Sequence, residues 1–436
     1  MFLGVTILAG AARSGKTERL LAAYRQVLAD GPLGAALWIC PTHRAAAEIR
    51  RRILVGPLSG CFNPHCLTFE QFAGRVLDSS SLEARSIPQP LVRVLLKRLI
   101  DDARAQGELR YFEPIADSDG FLDLLVGFIQ EFKRLEIWPE ELSAACGRRP
   151  SQKDHELFRI YEAYQQLLND RHLYDAQGRF WSARAQLRDG QLAPFQRLRH
   201  VFVDGFADFT RTEHEMLQIL AGRVDSLSVS LPLEDGDKRP LLFSKSAKTI
   251  VELERRHPQI RIERLARRPM SCAALGHLEQ NLFVSPRDLD AACEARGIEV
   301  LPAAGATAEI EMLSRRIKRL LVDGDDALPG RPVPPEDILV VFRSLSETAD
   351  LVREVFAQYG IPPAIGSHPP LGRAPVMAAL VAWLRLDLDG WPFRQVLRLL
   401  GHNFFRPEWL EWKAGAGAIA AERLVHALRI PSGRAE

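Results

Sequence analysis

The segment from Gly10 to Thr17, with the sequence GAARSGKT, constrains the fold of this chain more than any other feature. It follows an apolar run typical of a buried strand and opens a stretch with helical periodicity, the context that a phosphate-binding loop requires. In such a loop the glycines let backbone N–H groups turn toward phosphates, and the following helix adds partial positive charge. The segment predicts a nucleotide site, with a glycine-rich turn that only packs as the alternative. The residues predicted to bind the nucleotide are Gly10, Arg13, Ser14, Gly15, Lys16 and Thr17.

A second apolar run, His200–Val203, ends at Asp204, and this aspartate is the predicted partner of the loop. Lys16 is expected to reach the terminal phosphates of ATP, while the Thr17 hydroxyl and the Asp204 carboxylate hold its Mg²⁺ ion. In most ATPases a glutamate that activates the attacking water follows this aspartate, but here the next residue is Gly205. Hydrolysis is therefore expected to be slow or absent. An aspartate that only caps a turn is the alternative interpretation of Asp204.

Apolar runs and helical patterns alternate along residues 1–87, which indicates a parallel sheet covered by helices. Residues 88–190 carry long amphipathic patterns and predict an all-helical insertion, after which the alternation returns in residues 191–256. Residues 257–297 are expected to connect this domain to a second α/β unit, residues 298–370, and residues 371–436 to begin another helical insertion. The predicted strands are Phe2–Ala9, Ala35–Cys40, His65–Leu67, His200–Asp204, Ser226–Leu231, Ile298–Leu301 and Ile338–Phe342.

The composition is that of an ordinary globular chain and excludes several classes of protein. Of the 436 residues, 47% are hydrophobic and 26% are charged, which excludes a disordered or fibrous protein. The net charge of +2 provides no global field toward nucleic acid, so any DNA contact has to be local. Six cysteines without a second ligand pair at metal spacing predict reduced thiols and no metal centre. No apolar run reaches the roughly 18–20 residues of a membrane span, so we expect a cytoplasmic protein without membrane partners.

Several segments, in order along the chain, resemble the motifs of superfamily 1 helicases of the UvrD type. The glycine-rich segment resembles their Walker A loop, PTHRAAAE at 41–48 resembles motif Ia, and LTFEQFA at 67–73 resembles motif Ib. Val203–Thr210 resembles motif II with its glutamate replaced, and Asp337–Arg343 resembles motif IV. The form Asp204-Gly205-Phe206, together with LEQNLF at 278–283, is similar to the AddB/RexB subunits of AddAB-type helicase–nucleases.

This resemblance implies a P-loop NTPase fold with two RecA-like units, each interrupted by helical insertions, and ATP and Mg²⁺ as cofactors. It also implies single-stranded or duplex-end DNA and an AddA-like motor subunit as partners, in a complex that processes double-strand breaks for recombinational repair. The AddB/RexB members of that family have a degenerate motor. Motifs III, V and VI and the nuclease domain have no counterpart in the sequence, so we expect an incomplete second unit and no nuclease activity. A self-sufficient DNA translocase and a non-catalytic scaffold with a structural nucleotide site are the alternatives.

The resemblance also implies roles for individual side chains outside the loop. Thr42, Arg44, Thr68 and Phe69 correspond to positions that touch single-stranded DNA, where hydroxyls and arginine bind phosphates and an aromatic ring stacks on a base. The two threonines are also good helix caps, Phe69 suits a core, and Arg44 suits a solvated helix face. Arg343 corresponds to an arginine that contacts the γ-phosphate across the cleft between the units, with a surface arginine as the alternative.

Overall fold

The computed structural model divides the chain into two compact units, Met1–Ile298 and Glu299–Glu436. The first two residues of the predicted strand Phe2–Ala9 lie outside the part that the structure describes. The described residues are 4–55, 58, 60–78, 85–145, 151–234, 236, 238–289, 292–325, 328–366, 371–404, 414–429 and 433.

The first unit is built on a six-stranded sheet whose paired strands all run parallel, in the order β3-β2-β6-β7-β1-β8. Parallel strands bury both faces under helices, and the strand Ala36–Ile39 is accordingly buried at every residue. The chain is therefore an α/β protein, as predicted. The strands are β1 (Gly4–Gly10), β2 (Ala36–Ile39), β3 (His65–Leu67), β6 (His200–Val203), β7 (Ser226–Pro232) and β8 (Arg261–Arg264), with a separate parallel pair, β4 (Arg85–Ser86) and β5 (Leu173–Tyr174).

Helices cover the two faces of this sheet because successive strand residues point to opposite sides. Leu37 and Ile39 enter the core on one face, whereas Trp38 enters the core on the other face. The helices are α1 (Lys16–Asp30), α2 (His43–Ile53), α3 (Phe69–Asp78), α4 (Gln89–Ala105), α5 (Asp119–Arg134), α6 (Pro139–Ala145), α7 (Gln152–Asp170), α8 (Ala176–Arg188), α9 (Arg211–Ala221), α10 (Pro240–Arg256) and α11 (Ala273–Asn281).

Three of the helices between β3 and β6, namely α4, α5 and α7, form a separate hydrophobic core. Residues of α4, α5 and α7 bury a cluster that includes Leu96, Leu125 and Tyr161. Helix α8 does not share this cluster: its Ala183 and Leu187 are fully buried in the core of the sheet. The helical core therefore ends before α8, and α8 packs against α3 on the sheet.

The second unit differs from the sequence prediction, because neither Ile298–Leu301 nor Ile338–Phe342 is a strand. The residues of 338–342 alternate as a strand would: Val340 is half-buried against α12 and α13, while Leu339 is 78% exposed. A strand also needs a neighbour to complete its hydrogen bonds, and none pairs with this segment among the described residues. The elements of this unit are α12 (Ala306–Asp323), β9 (Gly324–Asp325), β10 (Leu328–Pro329), α13 (Leu345–Gln358), α14 (Pro375–Leu388), α15 (Phe393–Leu400) and α16 (Ala414–Leu428).

One strand of the sheet is not predicted by the sequence pattern. Strand β8, Arg261–Arg264, lies in the stretch predicted to be a connecting segment, and it pairs in parallel with β1. Three of its four residues are charged, and such a sequence is tolerated at a sheet edge, where charged side chains also discourage aggregation. Its position beside β1 places the chain that follows it next to the glycine-rich loop.

Candidate nucleotide-binding site

The glycine-rich loop joins the carboxyl end of β1 to the amino end of α1. Strand β1 is flanked by β7 and β8, so the position of Gly10, its last residue, is fixed from both sides. Arg13 and Gly15 adopt left-handed conformations with φ of 59° and 93°, and α1 begins directly afterwards at Lys16. Turns of this kind gather backbone N–H groups into a concave anion-binding arrangement, reinforced by the helix dipole.

Lys16 lies inside this loop and contacts neutral oxygen atoms. Its Nζ donates hydrogen bonds to the carbonyl oxygens of Gly10 and Ala11, each at 2.7 Å, and to Ser14 Oγ at 3.3 Å. Burial lowers the pKa of Lys16, an effect that the negative charge of Asp204 opposes. Among the described residues no carboxylate forms an ion pair with Lys16, so the loop holds a cation whose countercharge is not supplied by direct contact.

Asp204 stands directly after β6 and faces the first turn of α1. Its backbone N–H donates to the carbonyl oxygen of Ile39 at 3.0 Å, which continues the ladder between β6 and β2. The hydroxyl of Thr17 donates to both carboxylate oxygens of Asp204, at 3.1 and 2.9 Å. The structure thus brings Lys16, Thr17 and Asp204 together across 187 residues of sequence. A hydroxyl and a carboxylate are the hard oxygen ligands that Mg²⁺ prefers, so these residues fit the predicted ion.

Ser230, near the end of β7, is a member of this site that the sequence motifs do not identify. Its hydroxyl donates to Asp204 Oδ1 and is buried with it. A signal is nevertheless present in the strand, because β7 alternates apolar residues with the buried serines Ser226, Ser228 and Ser230. Serine is an unusual choice for the centre of a buried sheet unless its hydroxyl has a partner. Ser230 therefore fixes the carboxylate from the strand that separates β6 from β1.

Gly205 has a conformation that disfavours a side chain. Its φ is 88°, in the left-handed region, and a Cβ atom added there would lie 3.1 Å from Cδ of Pro41. Residues other than glycine adopt this region at a cost, and the contact with Pro41 adds to it. The backbone conformation at Gly205 therefore favours glycine, at the position where most ATPases have a catalytic glutamate.

The four predicted DNA contacts divide into two exposed and two buried side chains. Thr42 caps α2 by accepting a hydrogen bond from the N–H of Ala45 at 3.1 Å, and both Thr42 and Arg44 are exposed. Thr68 caps α3 and is 6% exposed, and Phe69 is 3% exposed. The ring of Phe69 packs edge-on against Phe206 at 5.4 Å between centroids. The side chains of Thr42 and Arg44 are therefore accessible to a ligand, whereas the ring of Phe69 is packed in the core.

The remaining predicted residue, Arg343, belongs to the second unit. It is exposed at the end of segment 338–342, and its contact with a γ-phosphate stays a prediction. In the part of the chain that the structure describes, no helix combines the length and apolar character needed to cross a bilayer. The same residues contain no group of three or more His, Cys, Asp or Glu side chains arranged to hold a metal ion.

Comparisons with known proteins place this chain within one family. The family model described as "ADDB, N-terminal" matches residues 7–279. The chain is 28% identical over 422 residues to the B subunit of the ATP-dependent helicase/deoxyribonuclease of Desulforudis audaxviator, covering 91% of the chain and 35% of that relative. The proteins of the same name from Pelotomaculum thermopropionicum and Bacillus subtilis are 29% and 24% identical, over 91% and 93% of the chain and 35% and 36% of the relatives. The chain thus spans about a third of the length of these curated relatives.

Proposed function

The chain belongs to the family described as ADDB, N-terminal, and from that membership we propose that it is an ATP- and DNA-binding part of a helicase–nuclease subunit. The relatives named above are B subunits of ATP-dependent helicase/deoxyribonucleases, which supports a role in DNA processing. In the proposal the complex acts on double-strand breaks for recombinational repair, and an AddA-like motor subunit is its partner.

The observation that carries the nucleotide part of the proposal is the contact of Thr17 with both oxygens of Asp204, beside Lys16. It joins the loop after β1 to the carboxylate after β6, which is how a P-loop NTPase of RecA-like fold prepares its Mg·ATP site. Lys16 and the N–H groups of the loop bind the terminal phosphates, and Thr17 and Asp204 hold Mg²⁺. ATP and Mg²⁺ are the proposed cofactors.

Slow or absent hydrolysis is the second part of the proposal, and Gly205 supports it. Water attack requires a base or a positioning group close to the γ-phosphate. The residue after Asp204, Gly205, has no side chain. Its backbone is left-handed, and a Cβ atom added to it would lie 3.1 Å from Cδ of Pro41. The motor of this chain is therefore proposed to be degenerate, with nucleotide serving to order the site and the partner subunit driving translocation.

DNA binding is assigned to the carboxyl end of β2. Thr42 and Arg44 are exposed there, on the same edge of the sheet as the glycine-rich loop, because the carboxyl ends of parallel strands share one edge. A hydroxyl and a guanidinium suit phosphate oxygens of a single strand. A local contact of this kind agrees with the small net charge of +2.

Two titrations and one turnover measurement test the proposal on the 436-residue chain. Isothermal titration with MgATP should show binding, and titration with a single-stranded oligonucleotide should show an affinity that falls steeply with salt. A single-turnover ATPase assay with saturating oligonucleotide should give a rate far below the roughly 1–100 per second scale of phosphoryl-transfer enzymes.

The outcomes separate the three candidate functions. Turnover at tens per second would contradict the degenerate motor and favour a self-sufficient translocase. Nucleotide binding that raises the melting temperature but leaves DNA affinity unchanged would favour a scaffold with a structural nucleotide site. Absence of MgATP binding would overturn the proposal.

A further inference from the structure

The chain leaving β8 runs along the glycine-rich loop. The N–H of Leu265 donates to the carbonyl oxygen of Ala9 at 2.8 Å, which extends the ladder between β8 and β1 by one bond. The carbonyl oxygen of Leu265 lies so close to Gly10 that a Cβ atom there would be 3.0 Å away. The backbone at Leu265 is thus held against the first residue of the loop.

A buried ion network anchors this segment at Arg267. Arg239, which is 5% exposed, forms two hydrogen bonds of 2.9 Å to the carboxylate of Glu234 and also donates to the carbonyl oxygen of Glu279. Arg267 pairs with the same two carboxylates, those of Glu234 and Glu279. Two arginines and two glutamates neutralise one another, so the side chain of Arg267 is committed to holding the segment in place.

Arg268, the next residue, points to the loop instead. Its guanidinium lies against Gly15, at the position that a Cβ atom on Gly15 would occupy. Arg268 is exposed, and within the described residues it has neither a hydrogen bond nor an ion pair. Arg19, in the first turn of α1, is by contrast paired with Glu263 of β8 at 2.6 Å. A cation without a countercharge therefore stands at the amino end of α1, beside Lys16.

We propose that Arg268 is a phosphate-binding residue of the nucleotide site, supplied by the same unit as the glycine-rich loop. This inference rests on the proposed function, since it assigns a contact within that site. A guanidinium presents N–H donors in a planar fork that matches phosphate oxygens, and at a helix amino terminus its charge adds to that of the N–H groups. In the proposed site this cation strengthens the retention of a polyphosphate.

The test compares Arg268→Ala and Arg268→Lys with Arg261→Ala, which removes the exposed arginine at the first residue of β8. Isothermal titration with MgATP and with inorganic tripolyphosphate should show a roughly 10- to 100-fold loss of affinity in Arg268→Ala, as expected for losing a charge-assisted hydrogen bond. Arg268→Lys should lose less, because it keeps the charge but not the fork. Arg261→Ala should bind like the wild type, and unliganded melting temperatures should agree across the set.

The results distinguish this inference from the function on which it rests. If the wild-type chain does not bind MgATP, the proposed function fails. If the wild type binds MgATP but Arg268→Ala binds it equally well, the inference alone is overturned. Tighter binding by Arg268→Ala would also overturn it, since the guanidinium would then obstruct the phosphate position.

Discussion

Two lysines in this molecule lie near an aspartate, Lys133 fully buried and Lys16 half-buried, and they have opposite surroundings. Lys133, in α5, is 1% exposed, and its Nζ lies 2.8 Å from Oδ2 of Asp175. The hydroxyl of Tyr164 donates to the same oxygen at 3.0 Å, and the rings of Tyr164 and Trp181 lie 5.5 and 5.1 Å from the ammonium. Every charge in this group is paired within the fold.

Lys16 has no such pairing. Its ammonium contacts two carbonyl oxygens and a hydroxyl, while Asp204 accepts from the hydroxyls of Thr17 and Ser230. Burial lowers the pKa of both lysines. The difference is one of pairing and not of burial: the charge of Lys133 is neutralised by a direct contact, whereas Lys16 and Asp204 each contact neutral groups, as the proposed nucleotide site requires.

The largest expected effect is the loss of stability when Lys133, the lysine paired with Asp175, is replaced. Lys133→Met leaves the carboxylate of Asp175 buried without its cation, so the free energy of unfolding should fall by about 3–5 kcal/mol. Urea unfolding measures the loss. The control is Lys97→Met, which removes a half-exposed lysine that pairs with Asp101 at 2.6 Å and with Asp117 at 2.9 Å. This substitution should cost at most about 1 kcal/mol, because both pairs lie at the surface. Equal losses in the two variants would contradict the structural role of the buried pair.

His214, in α9, is a buried base outside the loop, and its Nδ1 has no hydrogen-bond partner among the described residues. It tests whether an unpaired polar atom is enough to make a site. Burial, with a smaller effect of Arg256, lowers its pKa from 6.5 to about 4. The unfolded chain therefore takes up a proton between these two pH values that the folded chain does not. Stability from this group is complete above pH 6.5 and falls by about 3 kcal/mol as the pH drops to about 4.

Chemical unfolding of His214→Gln across that pH range should show a flatter acid limb than the wild type. Some slope should remain, because burial also lowers the pKa of His65, His200 and His257. The comparison at about pH 8, above the ordinary pKa of histidine, gives the cost of the substitution itself. An unchanged acid limb would show that His214 is not neutral in the folded protein, and altered MgATP affinity would show that it belongs to the site.

Replacing Lys16 should weaken the binding of MgATP and leave the stability of the fold almost unchanged. Lys16→Ala is expected to weaken MgATP binding at least about 100-fold, or about 2.8 kcal/mol, because the phosphates lose their principal charged contact. The free energy of unfolding should change by less than about 1 kcal/mol, since Lys16 pairs with no carboxylate among the described residues. A variant that binds normally, or one that unfolds as readily as Lys133→Met, would remove the distinction between the two lysines.

The sequence alone predicts the parts of this site whose determinants are local. The turn from β1 into α1 and the strand before Asp204 carry their residue pattern within a few positions, and the structure has both elements where the sequence predicts them. That the turn binds phosphate stays a prediction. Strand β8 is missed because Arg261–Arg264 has no apolar pattern and is a strand only through its pairing with β1. Segment 338–342 is predicted wrongly for the converse reason: its alternation is present, but the described residues supply no partner strand. Ser230 and Arg268 reach the loop through the sheet topology, which no short motif encodes.

The smallest expected effect concerns Gly205. If the missing glutamate alone made the motor inactive, Gly205→Glu would restore hydrolysis. The structure predicts instead that the variant loses about 1–2 kcal/mol of stability and gains no ATPase activity, because its left-handed φ of 88° and the contact with Pro41 disfavour the side chain. Gly205→Asn is the matched control, since asparagine tolerates this conformation and should cost less. Single-turnover hydrolysis in Gly205→Glu above the wild-type rate would show that the backbone after Asp204 adapts to a catalytic side chain, and that the open site around Lys16 lacks nothing else for turnover.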